Sequence, residues 1–225
     1  MMKRELVVIL EMAKLLEKPL DAPRTIQGIL RLLSQLYGLN CGRVSLPEAN
    51  SDNLHVKYSY GLAVDDLKAG RFNLHVDQGV TGYVMRTGSI GLVPDVEPLL
   101  CIFQLFAELA HHGGGRMAFI SVPILESGKP IGVLSVQREG MHERPFDGDI
   151  SLLRVAAAMV GQVLRIHQFV VEQTEHLVKE NQNLRHSIAI EGMLKQSLAD
   201  GRRALDHPGR PQRRASNAAG RVRHR

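Results

Sequence analysis

The 225-residue chain is poor in cysteine and aromatic residues and has no long apolar run. Its two cysteines, Cys41 and Cys101, form no CxxC pair, which excludes a disulfide framework and a four-cysteine zinc site and favours a reducing cytoplasm. No stretch of about 18 apolar residues occurs, and charged residues interrupt the N-terminal segment MMKRELVVILEMAKLLEKP, as in a helix rather than a signal peptide. We therefore expect no membrane-spanning segment.

Nucleotide-binding motifs are also missing. The glycines of DQGVTGYVMRTG have the spacing of neither a GxxxxGK phosphate loop nor a GxGxxG dinucleotide fingerprint. They instead predict a short helix that is capped by Asp77 or Thr81 and ends at Gly88 in a left-handed conformation. The expected apolar side of this helix is Tyr83, Val84 and Met85.

The net charge of +5 comes from the end of the chain. Residues 201–225 carry eight arginines and one aspartate, whereas the rest of the chain has 20 basic and 22 acidic residues. This basic tail has few apolar side chains and is predicted to be disordered. Arginines in such a tail bind polyanions through phosphate contacts without reading bases. We expect no sequence-specific DNA binding, and a solvated tail without function is the simplest interpretation.

The hydrophobic pattern predicts helices, then strands, then one long helix. Helical spacing is seen over Arg4–Lys18 and again from the N-cap Asp21 to Gly38. Period-two alternation predicts a hairpin over Cys41–Tyr60 and a strand over Phe72–Val76. A second hairpin, MAFISVPI and IGVLSVQ around a loop of about five residues in ESGKP, is expected at the sheet centre. A helical pattern follows from Asp149, so we predict an α+β domain with helices on one sheet face.

Alternation along the strands separates the two sheet faces. One face of MAFISVPI is purely apolar, whereas the opposite face mixes polar and apolar side chains on three strands, as small-ligand sites do. Arg43 lies on this mixed face and is suited to bind a carboxylate, although an ion pair with an acidic side chain is its alternative role. The predicted ligand-binding residues are Arg43, Phe119, Ser121, Ser135 and Gln137.

Four segments occur in a recognisable order: GVTGYVMRTG, LVPDVEPL, GGGRMAFISVPILESGKPIGVLSVQ and FDGDISLLRVAAAMVGQVL. Over about Leu6–Ile188 the chain resembles the amino-terminal GAF domain of NifA-type activators of nitrogen-fixation genes. The resemblance implies a GAF fold, in which an antiparallel sheet has helices on one face, a pocket on the other and a long C-terminal helix. It also implies a sensor that responds to a metabolite such as 2-oxoglutarate or to a nitrogen-regulatory protein, and that controls an ATPase acting on sigma-54 RNA polymerase.

The chain departs from those activators because it has no Walker motif and only the basic tail follows its last helix. Alone it should neither hydrolyse ATP nor read an operator. We expect a free-standing sensor or a truncated activator whose last residues come from a shifted frame, with a GAF domain over 1–165, a signalling helix over 166–200 and the tail over 201–225. The alternative function is a structural dimerisation or partner-binding module with no ligand.

Enzymatic and cofactor-binding alternatives lack their residues. GAF-fold sulfoxide reductases need several cooperating cysteines, and this chain has two. A cysteine that attaches a bilin has a neighbouring histidine, which Cys101 lacks. His111 and His112 are adjacent, so on a helix they point in different directions and cannot chelate one metal. The cyclic-nucleotide signature NKxxFxxxDE is absent. We expect a non-enzyme without a metal or cofactor.

The last helix carries a heptad pattern. Val163, Val170, Leu177 and Leu184 recur at d positions, interleaved at a positions with His167, Thr174, Asn181 and Ile188. Apolar d positions with one asparagine at a favour a parallel two-stranded coiled coil. We predict a homodimer whose seam contains Val170, Leu177, Asn181, Leu184 and Ile188.

Overall fold

The computed structural model describes residues 2–17, 21–49, 51–62, 74–96, 117–139 and 145–205. It divides into two compact units, residues 1–171 and 172–225. The helices are α1 (Met2–Leu16), α2 (Ala22–Tyr37), α3 (Gly79–Thr87) and α4 (Phe146–Leu205). The strands are β1 (Leu39–Pro47), β2 (Asn53–Tyr60), β3 (Leu74–His75), β4 (Gly91–Val93), β5 (Met117–Glu126) and β6 (Lys129–Glu139). This order confirms the predicted α+β class.

The six strands form one antiparallel sheet in the order β3-β2-β1-β6-β5-β4. The predicted first hairpin is confirmed as β1 and β2, although β1 begins at Leu39 rather than Cys41. Within the strand predicted over 72–76, Leu74–His75 is a strand and Val76 lies in a turn, whereas residues 72 and 73 lie outside the described residues. The central strands are β1 and β6, so the prediction that β5 and β6 form the centre is correct only for β6.

The loop between β5 and β6 is shorter than predicted. Strand pairing continues to Glu126 opposite Lys129, which leaves Ser127 and Gly128 as the turn. Their φ angles are 49° and 81°. Positive φ at both central residues is typical of a type I′ turn, whose twist matches that of the strands it joins. The predicted five-residue loop is therefore wrong, because the lysine and proline of ESGKP belong to β6.

Helix α2 has the predicted ends. The side chain of Asp21 accepts a hydrogen bond from the amide of Arg24 at 3.3 Å, and Gly38 follows the helix with a left-handed φ of 76°. An N-cap oxygen and a C-terminal glycine satisfy backbone groups that a helix leaves open at its ends.

Helix α3 confirms the helix predicted from the glycine-rich stretch but corrects its details. Gly88 ends it with a φ of 66°, whereas the N-cap is Gln78, whose side chain makes no capping hydrogen bond. Asp77 instead accepts from Arg86, at 2.8 Å. Tyr83 is 46% exposed, because the buried side of α3 contains Thr81 and Val84.

Helices α1, α2 and the first part of α4 form the core with one face of the sheet. Ile120, Val122 and Ile124 of β5 point into this core, which is the apolar face that the alternation assigned to the helices. Gly161 of α4 allows close packing, since a Cβ there would lie 3.1 Å from Cγ2 of Ile124. The opposite face of the sheet is therefore free of this helical layer.

A buried ion pair joins β6 to the first turn of α4. Arg138 donates a hydrogen bond to the Asp149 carboxylate, and their side chains are 3% and 0% exposed. The Arg138 guanidinium carbon also lies 4.5 Å from the centroid of the Phe146 ring. Asp149 lies in the first turn of α4, where the helix dipole favours a carboxylate. Together these contacts fix the start of α4 on the sheet.

Helix α4 is buried in its first part and exposed in its second. Val160 and Val163 are fully buried, whereas the described side chains from His167 onward are exposed. Its segment 146–193 is long and apolar enough to cross a membrane by length and composition, but 39% of the apolar stretch is buried in the protein. A core helix passes the same test, so this is weak evidence for a span. The helix continues to Leu205, five residues into the predicted tail, and residues 206–225 lie outside the described residues.

We predict that Asp149→Leu lowers the free energy of unfolding by about 3 kcal/mol, because it removes the carboxylate that neutralises the buried Arg138. Urea unfolding at pH 7 measures the change. The double variant Arg138→Met/Asp149→Leu should recover most of the loss, since no buried charge remains in the pair. As a control, Glu11→Leu breaks an exposed pair with Lys14 and should change stability by less than about 1 kcal/mol. Equal losses for the single and double variants would contradict this account.

Candidate functional site

The sheet face opposite the helical core carries a row of small and polar residues across four strands. Gly91 lies opposite Ser121, Ser121 opposite Ser135, and Ser135 opposite Arg43. A second row places Phe119 opposite Gln137. The structure thus brings together the five residues that were predicted to bind a ligand. We call this surface, formed by Arg43, Phe119, Ser121, Ser135 and Gln137, the polar face.

Every residue of the polar face is buried, with at most 4% of its surface exposed. The hydroxyl oxygens of Ser121 and Ser135 lie 2.8 Å apart and share a hydrogen bond in which either can donate. Burying polar groups in this way is unfavourable unless hydrogen bonds replace those made to water. The hydrogen bond between Ser121 and Ser135 therefore offsets part of the free-energy cost of burying the two hydroxyl groups.

Arg43 is placed by an irregularity in β1. The pairing of β1 with β6 is interrupted between Asn40 and Arg43, where Cys41 has a φ of 48°. The Arg43 guanidinium carbon lies 4.8 Å from the centroid of the Phe119 ring, a distance that allows a cation–π interaction. Burial lowers the pKa of Arg43 to about 10, so the side chain is still charged at neutral pH.

Cys41, beside this irregularity, is a half-buried thiol. Its sulfur donates a hydrogen bond to the carbonyl oxygen of Gly61 at 3.5 Å. Burial raises the pKa of the Cys41 thiol, which keeps it protonated at neutral pH. The described residues contain no cluster of three or more His, Cys, Asp or Glu side chains that could hold a metal. Cys101, His111 and His112 lie outside the described residues.

Helix α3 packs on the polar face beside Ser121. A Cβ on Gly91 would lie 2.4 Å from Cγ1 of Val80 and 2.9 Å from Cγ2 of Val84, so α3 approaches β4 where a side chain is missing. Arg86 holds α3 by donating to the carbonyl oxygen of Val76 at 3.1 Å as well as to Asp77. Sequence reasoning explained Gly88 but missed Gly91, whose role depends on a contact between distant segments.

The side chains of the polar face supply groups that can recognise an anion. A guanidinium supplies several N–H donors in a planar fork, which matches a carboxylate, and the serine hydroxyls and the Gln137 amide add neutral donors and acceptors. The Phe119 ring supplies an apolar surface.

The residues predicted to form a dimer seam are exposed on α4. Val170, Leu177, Leu184 and Ile188 are 54%, 61%, 57% and 67% exposed, and Asn181 is also exposed. Val163, the first member of the predicted heptad series, lies in the core with none of its surface exposed. The exposed part of the heptad series therefore begins at His167, and its exposed apolar members begin at Val170.

A sequence model of the GAF domain family matches residues 21–164, which contain the sheet, α2, α3 and the buried part of α4. The chain belongs to the GAF family. The predicted GAF fold is thereby confirmed, and the polar face is the sheet face of a GAF domain that lies opposite its helical core.

The GAF domain resembles the amino-terminal regions of nitrogen-fixation regulators. The Nif-specific regulatory protein of Herbaspirillum seropedicae is 28% identical over 80% of the chain, and that of Azospirillum brasilense is 30% identical over 78%. The nitrogen fixation protein AnfA of Azotobacter vinelandii is 24% identical over 85%. The chain spans only about a third of the length of these relatives, between 28% and 35%.

Solved GAF domains share the fold at lower identity. A GAF domain of A. aeolicus in an inactive state has a TM-score of 0.59 at 19% identity, covering 73% of this chain and 97% of that one. The GAF domain of a phosphoenolpyruvate-protein phosphotransferase from Coxiella burnetii has a TM-score of 0.64 at 14% identity, covering 76% and 98%. A free methionine-R-sulfoxide reductase from Neisseria meningitidis has a TM-score of 0.58 at 18% identity, covering 72% and 89%. These similarities establish the fold alone.

We predict that Gly91→Ala displaces α3 and lowers the free energy of unfolding by about 1–3 kcal/mol, because the added methyl overlaps Val80 and Val84. Chemical denaturation measures the change. Adding Val80→Ala to Gly91→Ala should restore part of the loss. Gly192→Ala is the matched control, since a Cβ there has no atom within 4 Å and alanine favours a helix. A loss of the same size at Gly192 would contradict the packing argument.

Proposed function

We propose that this GAF domain is the sensory part of a cytoplasmic, non-enzymatic regulator of the NifA type, and that it binds a small carboxylate metabolite on the polar face. The observation that carries the proposal is the placement of a buried, charged Arg43 beside the Ser121–Ser135 pair on the sheet face opposite the core. Similarity to regulators of nitrogen fixation supports the regulatory role.

A dicarboxylate of the size of 2-oxoglutarate fits this chemistry. One carboxylate would lie against the Arg43 guanidinium, whose planar fork of N–H donors matches the two oxygens of a carboxylate. The neutral Ser121, Ser135 and Gln137 side chains would bind the oxygen atoms of the rest of the molecule. The positive charge of the guanidinium is the reason to prefer an acid over a neutral metabolite.

The regulatory output would pass through α4. Gln137 belongs to the polar face, and the next residue along β6, Arg138, holds the first turn of α4 through Asp149. A ligand that moves β6 would therefore act on both. We propose that α4 pairs with a second copy of the chain in a parallel coiled coil through the residues exposed from Val170 to Ile188.

A structural module without a ligand is the second candidate function. The burial of the polar face favours this second candidate, because all five of its side chains are at most 4% exposed without a ligand. In that case Arg43 and the serine pair would specify the packing of the sheet, and the domain would act only through its dimer or a regulatory protein partner.

We predict that 2-oxoglutarate stabilises the wild-type protein against heat, and that Arg43→Met abolishes this effect. A ligand that binds only the folded state adds about 2.7 kcal/mol at one hundred times its dissociation constant. Differential scanning calorimetry with and without 2-oxoglutarate measures the shift, and urea unfolding without ligand tests that the variant folds.

The control is Arg24→Met, which removes an arginine with an 88% exposed side chain and should retain the full shift. A wild-type protein that is stabilised neither by 2-oxoglutarate nor by other small carboxylates would instead favour the structural module. An equal shift in wild type and Arg43→Met would place the ligand elsewhere.

The proposed dimer has its own test. Leu177→Asp should convert it to a monomer at tens of micromolar, because a charge would be buried at the centre of the seam. Sedimentation equilibrium gives the mass. Ile190→Asp is the matched control, since Ile190 is 48% exposed on α4 but lies outside the a and d positions. A wild-type monomer, or a Leu177→Asp dimer, would show that α4 is not the seam.

A further inference from the structure

Helix α4 exposes a second apolar column directly beside the predicted seam. Val171 and Val178 follow Val170 and Leu177 by one residue each, and they are 38% and 50% exposed. In the heptad they occupy e positions, which in two-stranded coiled coils are usually charged. Valines at these positions do not follow the usual charged pattern of a coiled coil, and a second apolar contact surface would explain them.

The two columns lie on either side of the same polar residues. The first seam combines Val170, Leu177 and Leu184 with Thr174, Asn181 and Ile188. The second seam combines Val171 and Val178 with the same Thr174 and Asn181. Adjacent residues of an α-helix differ by 100° in direction, so the centres of the two seams differ by about half of that angle. Rotation of each helix by about 50° about its own axis therefore exchanges one seam for the other.

Charge complementarity identifies a second, parallel copy as the occupant. In the first seam Glu180 is a g residue and Arg185 is the e residue of the following heptad, which is the pairing that joins two parallel helices. In the second seam Arg185 would fall at a core position, where its charge is unfavourable. The part of the helix near Arg185 therefore favours the first seam. In residues 170–178 each seam has two apolar residues, Val170 and Leu177 in the first and Val171 and Val178 in the second.

We propose that α4 pairs with a second copy through either of these two seams, and that rotation between them is the conformational output of the domain. The proposal rests on the homodimer proposed above but not on the ligand. The two seams differ mainly in the heptad around Arg185, because residues 170–178 offer apolar side chains to both.

Disulfide crosslinking of the full chain tests the two seams. In a Cys41→Ser/Cys101→Ser background, Leu177→Cys reports the first seam, Val178→Cys the second, and Lys179→Cys, on the opposite side of the helix, serves as the control. A disulfide requires Cα atoms within about 7 Å, which residues outside a seam do not reach. We expect crosslinked dimers with both Leu177→Cys and Val178→Cys and few with Lys179→Cys.

The balance between the seams supplies the second measurement. Arg185→Leu removes the residue that pairs with Glu180 in the first seam. It also removes the charge that would lie in the core of the second seam. The ratio of Val178→Cys to Leu177→Cys crosslinks should therefore rise by about threefold or more. Crosslinking at Leu177 alone, an unchanged ratio, or a monomer would overturn the proposal. So would a tetramer by sedimentation, because it would mean that both seams are used at once. No metabolite is added, so failure of ligand binding leaves this test unaffected.

Discussion

Strand β6 is buried on both of its faces, and much of the structure depends on this constraint. Seven consecutive residues, from Gly132 to Arg138, are buried. A strand that is buried on both sides must find partners within the protein for every polar side chain it carries. Ser135 meets Ser121 on one face, and Arg138 meets Asp149 on the other. These contacts set the position of β5 on one side and the start of α4 on the other.

Because side chains alternate along a strand, β6 also connects the polar face to the helix. Gln137 and Arg138 are neighbours in the chain but belong to opposite sides of the sheet. The polar face and the support of the first turn of α4 therefore depend on adjacent residues of the same strand. Helix α4 then continues beyond the core, where its side chains are exposed.

The GAF fold alone does not decide what the protein does. Solved structures with the same fold at 14–19% identity include a domain of a phosphotransferase and a reductase. Function in such a fold depends on the side chains of the site. Here the site contains a charged arginine among hydroxyl, amide and aromatic groups, and the one described cysteine, Cys41, has a raised pKa. That composition is suited to the recognition of an anion.

The sequence by itself determined the features that depend on local geometry. Period-two alternation separated the faces of β5 and β6, and Asp21 and Gly38 marked the ends of α2, because these signals arise from the backbone of a few adjacent residues. The five residues of the polar face could be named for the same reason. The two-residue turn at Ser127–Gly128 was missed because the neighbouring lysine and proline extend β6 by strand pairing, which composition does not reveal.

Only the tertiary structure decided the features that join distant segments. Arg138 was expected on neither surface, and its burial became possible only when α4 brought Asp149 to the end of β6. Gly91 has no local role that its neighbours reveal, yet it lies where Val80 and Val84 approach the sheet. Val163 fits the heptad spacing but is buried in the core, because the helix lies on the sheet up to that point. In each case the decisive contact is made by residues far apart in the chain, whose meeting depends on the packing of the whole domain.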